Sequence, residues 1–186
     1  MSESSAQRKL ARGIEHVQTL QGEAAEFLDE DAYVFSVERE RRSAQKIAHR
    51  CFATEIKPTP DHWPLLAGEA IQNLRSSLDH AVYALVPKRK RGASGFPIYT
   101  DTCEFQVLGR KLIPRIPTPI AALIENAQPY RHSPQAPSRD SLEILRTLSN
   151  IDKHRTLATI ACAVELEYIG FGVGVSIEQW RPATGK

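Results

Sequence analysis

The sequence predicts an α+β fold, with a helical core of three or more helices, an antiparallel β-hairpin and C-terminal strands. Three observations carry that expectation. Apolar residues recur at spacings of three and four over 5–30, 61–86 and 138–155. Apolar and polar residues alternate inside 33–56 and again within 163–180. Proline and glycine clusters separate these stretches. The whole chain of 186 residues is expected to form a single domain.

The elements follow in order. Leu10, Ile14, Val17, Leu20 and Ala24 form one stripe of a helix over 5–30. The hairpin spans 33–56. Its first strand is Tyr33-Val34-Phe35-Ser36-Val37, and its second carries Ile47, Cys51, Phe52 and Ile56. The charged run Glu38-Arg39-Glu40-Arg41-Arg42 is expected at its solvated tip. Pro58 and Pro60 break the chain, and Asp61 is a candidate N-cap for a helix that ends before Pro87. Lys88-Arg89-Lys90-Arg91, followed by Gly92-Ala93-Ser94-Gly95, reads as an exposed basic loop and a candidate phosphate-binding site. Short helices are expected over 101–112 and 118–126. Ser138 or Asp140 then opens a helix that reaches Arg155 or beyond, and strands within 163–180 surround Gly170, Gly172 and Gly174.

Composition narrows the function classes. Hydrophobic residues make up 41% and charged residues 25%, as in a globular chain and unlike a disordered one. The net charge of +2 neither demands nor excludes nucleic acid. The three cysteines, Cys51, Cys103 and Cys162, are widely spaced, with no C-x-x-C and no zinc-like spacing. No metal and no cofactor is therefore expected. The start, MSESSAQRKLARG, has no apolar core of a secretory signal, and no apolar run reaches membrane-spanning length. The expectation is a cytoplasmic protein with no membrane partner.

Two helices carry polar residues at marked positions. On a wheel of about 100° per residue, Ile71, Leu74, Leu78, Ala81, Val82 and Leu85 share one face. Arg75 and Asp79 border it on one flank, and Asn73 and His80 on the far flank, with Ser76 between His80 and Tyr83. In the second helix, Leu142, Leu145, Leu148 and Ile151 define the apolar face. Asp152 projects between Leu145 and Leu148, and Arg155 lies just beside Leu148. A carboxylate aimed into an apolar face needs a partner, because an unpaired buried charge is very costly. The two helices are expected to pack together, with Asp152 paired to Arg75 or to Arg155. The candidate catalytic set is Arg75, His80, Asp152, His154 and Arg155, and the candidate phosphate-binding set is Lys88, Arg89, Lys90 and Arg91.

The helix segment Asn73-Leu74-Arg75-Ser76-Ser77-Leu78-Asp79-His80, paired with Leu148-Ser149-Asn150-Ile151-Asp152-Lys153-His154-Arg155, resembles a group of uncharacterised bacterial proteins. More distantly, Arg75 followed after four residues by His80 resembles the signature of HEPN domains, helical bundles found in bacterial toxin and defence ribonucleases. That resemblance implies a metal-independent RNase site shared between two protomers. Arg75 would hold the scissile phosphate, and His80 would move a proton during attack by the 2′-hydroxyl. It implies RNA and a homodimer as partners. On an ideal helix Arg75 and His80 point about 140° apart, so sharing one phosphate needs helix distortion or a second protomer. The competing reading is a non-catalytic protein-interaction or small-ligand-binding module, in which the polar helix residues are structural.

Overall fold

The computed structural model describes residues 4–30, 33–41 and 47–153. Their packed part is all-α, which overturns the α+β expectation. The helices are α1 (Ser5–Asp29), α2 (Trp63–Leu85), α3 (Thr102–Glu104), α4 (Arg110–Leu112), α5 (Thr118–Asn126), α6 (Pro129–His132) and α7 (Ser141–Asp152). Strands β1 (Tyr33–Arg41) and β2 (Ile47–Ile56) pair in a two-stranded antiparallel ribbon. A two-stranded ribbon is too small to be a layer of the fold, and the described residues form no larger sheet. The strands expected within 163–180 lie outside the described residues. The run Glu38–Arg41 is not a hairpin tip. It continues β1, opposite Arg50, His49, Ala48 and Ile47, because charge does not stop a ladder made by backbone groups. Among the described residues, no helix is long and apolar enough to cross a membrane.

Helix α1 opens with a capping box. Ser4 Oγ accepts the Gln7 N–H at 3.2 Å, and Gln7 Oε1 accepts the Ser4 N–H at 2.8 Å. The helix then runs antiparallel to α2, as the order of contacts shows: Ser5 meets His80, Lys9 meets Asn73, His16 faces Glu69, and Phe27 packs on Trp63. Gly13 sits buried at the crossing, where a Cβ would lie 2.9 Å from the Leu74 side chain. Glycine inside a helix costs about 1 kcal/mol against alanine, and here the close helix approach offsets it. At the far end, Glu23 Oε2 accepts the Trp63 indole N–H at 2.8 Å and lies 2.6 Å from His62 Nε2. These bonds, the one to His62 foremost, hold the Glu23 carboxyl below its usual range. Asp61 does not cap α2; His62 stands at the N-cap and makes no side-chain cap bond. Pro64 in the first turn explains the loss, since it brings a preset φ and removes a donor that a cap would serve.

The C-terminal half of α2 forms the main core. Val82 and Val86 pack with Phe105, Ile113, Ile116, Ala121 and Ile124. A π turn at Phe105–Gly109 joins α3 to α4 and brings Phe105 fully inside. Gln128 is also fully buried, and its amide is saturated. It accepts the Tyr99 N–H at 3.0 Å and donates to the Pro97 and Ile124 carbonyls at 2.8 and 2.9 Å. One side chain thus ties the 97–99 segment to the end of α5.

Asp140 caps α7. Its Oδ1 accepts the Leu142 N–H at 2.9 Å, and its Oδ2 receives Ser133 Oγ at 2.7 Å and His132 Nδ1 at 2.8 Å. Burial alone would raise this carboxyl, but the hydrogen bonds from His132, Ser133 and the Leu142 amide outweigh it and hold the group below the usual carboxylate range. The folded value is depressed, so the stabilisation is present above the unfolded aspartate value of about 3.9 and is lost as pH falls through the folded value. Asp140→Ala should destabilise the protein by about 2 kcal/mol in urea unfolding at neutral pH. The difference between wild type and variant should shrink in acid, below about pH 4. An equal difference at both pH values would contradict this account of the cap.

Candidate functional site

The marked residues of α2 and α7 come close together, with Arg75 held by its i,i+4 neighbour Asp79 and not by Asp152. Arg75 Nη2 donates to Asp79 Oδ1 and to the Phe96 carbonyl, each at 2.8 Å. Asp79 Oδ1 also accepts the Phe96 N–H at 2.8 Å. Arginine and aspartate therefore clamp both backbone groups of Phe96 onto α2. The other guanidinium end, Nη1, is buried and has no partner among the described residues. Arg75 is committed to the fold.

Asp152 does not meet Arg75. Its Oδ2 accepts from Gln72 Nε2 at 3.1 Å, and the same amide nitrogen reaches the Ser149 carbonyl at 3.4 Å. The carboxylate lies against Gly68, where a Cβ would be 2.5 Å from Oδ1. Glycine at 68 is what lets α7 bring a carboxylate onto the backbone of α2. The pairing expected with Arg75 is not made; in its place Asp152 accepts from a neutral amide and, half-buried, keeps part of its hydration. His154 and Arg155 lie outside the described residues.

Two hollows, together called the groove below, open along α2, the first between α1 and α7 and the second between the start of α1 and Ser94. Glu69, Gln72, Asn73, Ser76, His80 and Tyr83 recur along it at helical spacing. Its first hollow, about 310 Å³, is lined by Lys9, Glu69, Gln72, Asn73, Ser76 and Asp152. Lys9 Nζ donates to Asn73 Oδ1 at 3.1 Å across the α1–α2 contact. The second hollow, about 720 Å³, is lined by Ser5, Asp79, His80, Tyr83 and Ser94. His80 is exposed there, with Nδ1 2.7 Å from Ser5 Oγ. Arg75 lines neither hollow, so His80 and Arg75 face different surroundings.

The basic loop is a 3₁₀ turn, Lys88–Ala93, directly beyond α2. Lys88, Arg89 and Lys90 are exposed. Arg91 is engaged instead: its Nε donates to the Val86 carbonyl at 3.0 Å, and its guanidinium lies 4.7 Å from the Tyr83 ring centroid. It closes the C-terminal end of α2, where carbonyls lack helical partners. Among the described residues, no group of three or more His, Cys, Asp or Glu is placed to hold a metal ion.

The chain matches no protein family, no curated protein and no solved structure.

The groove residues Asn73, Ser76 and His80 carried a signal in the sequence, as polar positions on the far flank of an apolar stripe. Lys9 and Gly68 carried none, because only the docking of α1 and α7 gives them a role. The Gly68–Asp152 contact has a measurable consequence. In an Asp152→Ala background, Gly68→Ala should stabilise by about 1 kcal/mol, the ordinary helix gain. In the wild-type background that gain should vanish or reverse, because Asp152 must move and surrender Gln72. Equal effects in both backgrounds by chemical denaturation would remove the contact from the account.

Proposed function

We propose that the protein is a non-catalytic binding module whose groove along α2 receives an extended, neutral or basic peptide segment. The observation that carries this reading is the charge of the groove wall. Glu69 and Asp152 face its first hollow against a single lysine, Lys9, whose ammonium is held by Asn73, and the carboxylate of Asp79 in the second hollow is balanced by Arg75. Such a wall disfavours a phosphate backbone and suits cationic side chains. The amides of Gln72 and Asn73 and the hydroxyl of Ser76 add donors and acceptors of the kind that bind a peptide main chain. The commitment of Arg75 to Asp79 and Phe96 supports the same view, since a phosphate-holding arginine would have to leave that clamp.

A HEPN-like RNA-binding or ribonuclease role is the second reading. It is favoured by one feature: exposed His80 and Tyr83 near the end of α2 that carries Lys88, Arg89 and Lys90. In that reading the turn, rather than Arg75, holds phosphate.

Fluorescence anisotropy on the full chain separates the two, using labelled basic, neutral and acidic peptides beside a labelled single-stranded RNA. Basic peptides should bind best. Ser76→Arg, which fills the groove and offsets its negative charge, should weaken them at least about 10-fold. The RNA should stay intact. Salt-sensitive RNA binding lost on replacing Lys88, Arg89 and Lys90 with glutamate, or RNA cleavage lost in His80→Ala, would instead establish the second reading.

A further inference from the structure

The two hollows along α2 differ in chemistry. In the first, about 310 Å³, the carboxylates of Glu69 and Asp152 stand against the single ammonium of Lys9 and leave the space net negative. The second, about 720 Å³, is lined mainly by Ala6, Ala81, Tyr83, Ala84 and Leu85. Tyr83 is 50% exposed and Leu85 42% exposed. The one carboxylate there, Asp79, is bound by Arg75 at 2.8 Å, and the Arg91 guanidinium lies 4.7 Å from the Tyr83 ring centroid. A cation is therefore drawn to the first hollow and not to the second. An apolar side chain gains from the area it buries in the second. The distance between the two is fixed, because both open on one helix. Positions 69, 72, 76, 80 and 83 follow at spacings of three and four, so the hollows share one side of α2. Gln72 in the first and Tyr83 in the second are eleven residues apart. At about 1.5 Å per residue that is about 16 Å. An extended chain advances about 3.3 Å per residue, so about five of its residues span the same length.

We infer that one extended segment fills both hollows at once, with a lysine or arginine in the first and, about five residues away, a bulky apolar side chain in the second. The inference rests on the peptide reading of the groove and adds the sequence pattern of the partner. Glu69 and Asp152 hold the cation. Tyr83, Ala84 and Leu85 are covered by the apolar side chain. Either anchor alone is weak. The Glu69 side chain is 62% exposed, and an ion pair at an exposed carboxylate is worth little. Two anchors on one chain make the second contact intramolecular, which raises affinity only when their spacing matches that of the hollows.

Anisotropy with the full chain tests this on labelled serine-threonine peptides that carry one lysine and one tryptophan at separations from one to nine residues. Binding should peak at separations of four to six and be at least about 10-fold weaker when the two are adjacent. Added salt should weaken the peak peptide, and exchanging its lysine for glutamine should remove that salt dependence. Asp152→Asn, which keeps an acceptor for Gln72, should erase the advantage of lysine over glutamine and leave that of tryptophan over alanine. Glu69→Gln takes its place should that variant fail to fold. Ala84→Trp, which fills the second hollow, should erase the advantage of tryptophan and leave that of lysine. Equal binding at every separation would overturn the inference while leaving the groove a peptide site. So would variants that weaken both anchors alike. Failure of every peptide, basic ones included, would overturn the peptide reading and this inference together.

Discussion

The close antiparallel contact of α1 with α2 is the constraint on which the rest depends. Gly13 permits it, by letting Leu74 lie where a Cβ would stand. Once α1 occupies one side of α2, the other neighbours have a single flank left. There α7 lays Asp152 on Gly68, and the Phe96 segment is clamped by Arg75 and Asp79. The groove is the gap these flanking elements leave along α2. A shift of α1 along α2 would break the Lys9–Asn73, His16–Glu69 and Glu23–Trp63 contacts together.

Buried polar groups do much of the positioning in this fold. Gln128 and Arg75 bind backbone groups of segments that lack regular structure, and Asp140 ties the first turn of α7 to the side chains of His132 and Ser133. A buried amide or carboxylate left unsatisfied costs on the order of 1–3 kcal/mol, so each of these side chains selects one arrangement of its segment. Apolar contact alone is less selective, because it depends on area and not on direction. The irregular stretch between α2 and α7 is held in this way, and the core of Val82, Phe105 and Ile124 fills in beneath it.

The helices were legible in the sequence because periodicity is local. The stripe Leu10–Ile14–Val17 and the stripe Ile71–Leu74–Leu78 mark α1 and α2 without any tertiary information. The fold class was not legible, because strand-like alternation says nothing about whether strands join a layer. The partner of Asp152 was not legible either. A wheel places a carboxylate on a face, but Gln72 on the facing helix is chosen by the register of two helices, which Gly68 sets from a distance of many residues.

By itself, the sequence determined where α1, α2 and α7 lie and which sides of them are apolar, since each depends on residues a few positions apart. It also narrowed the start of α7 to Ser138 or Asp140, and Asp140 is the one that caps it, serving an amide two residues on. Only the tertiary structure decided that Arg75 clamps a loop, that His80 stands apart from it and that a groove with an acidic wall runs along α2. Those outcomes rest on contacts between residues far apart in sequence, and directional polar groups take whichever partner the packing of whole helices brings within reach.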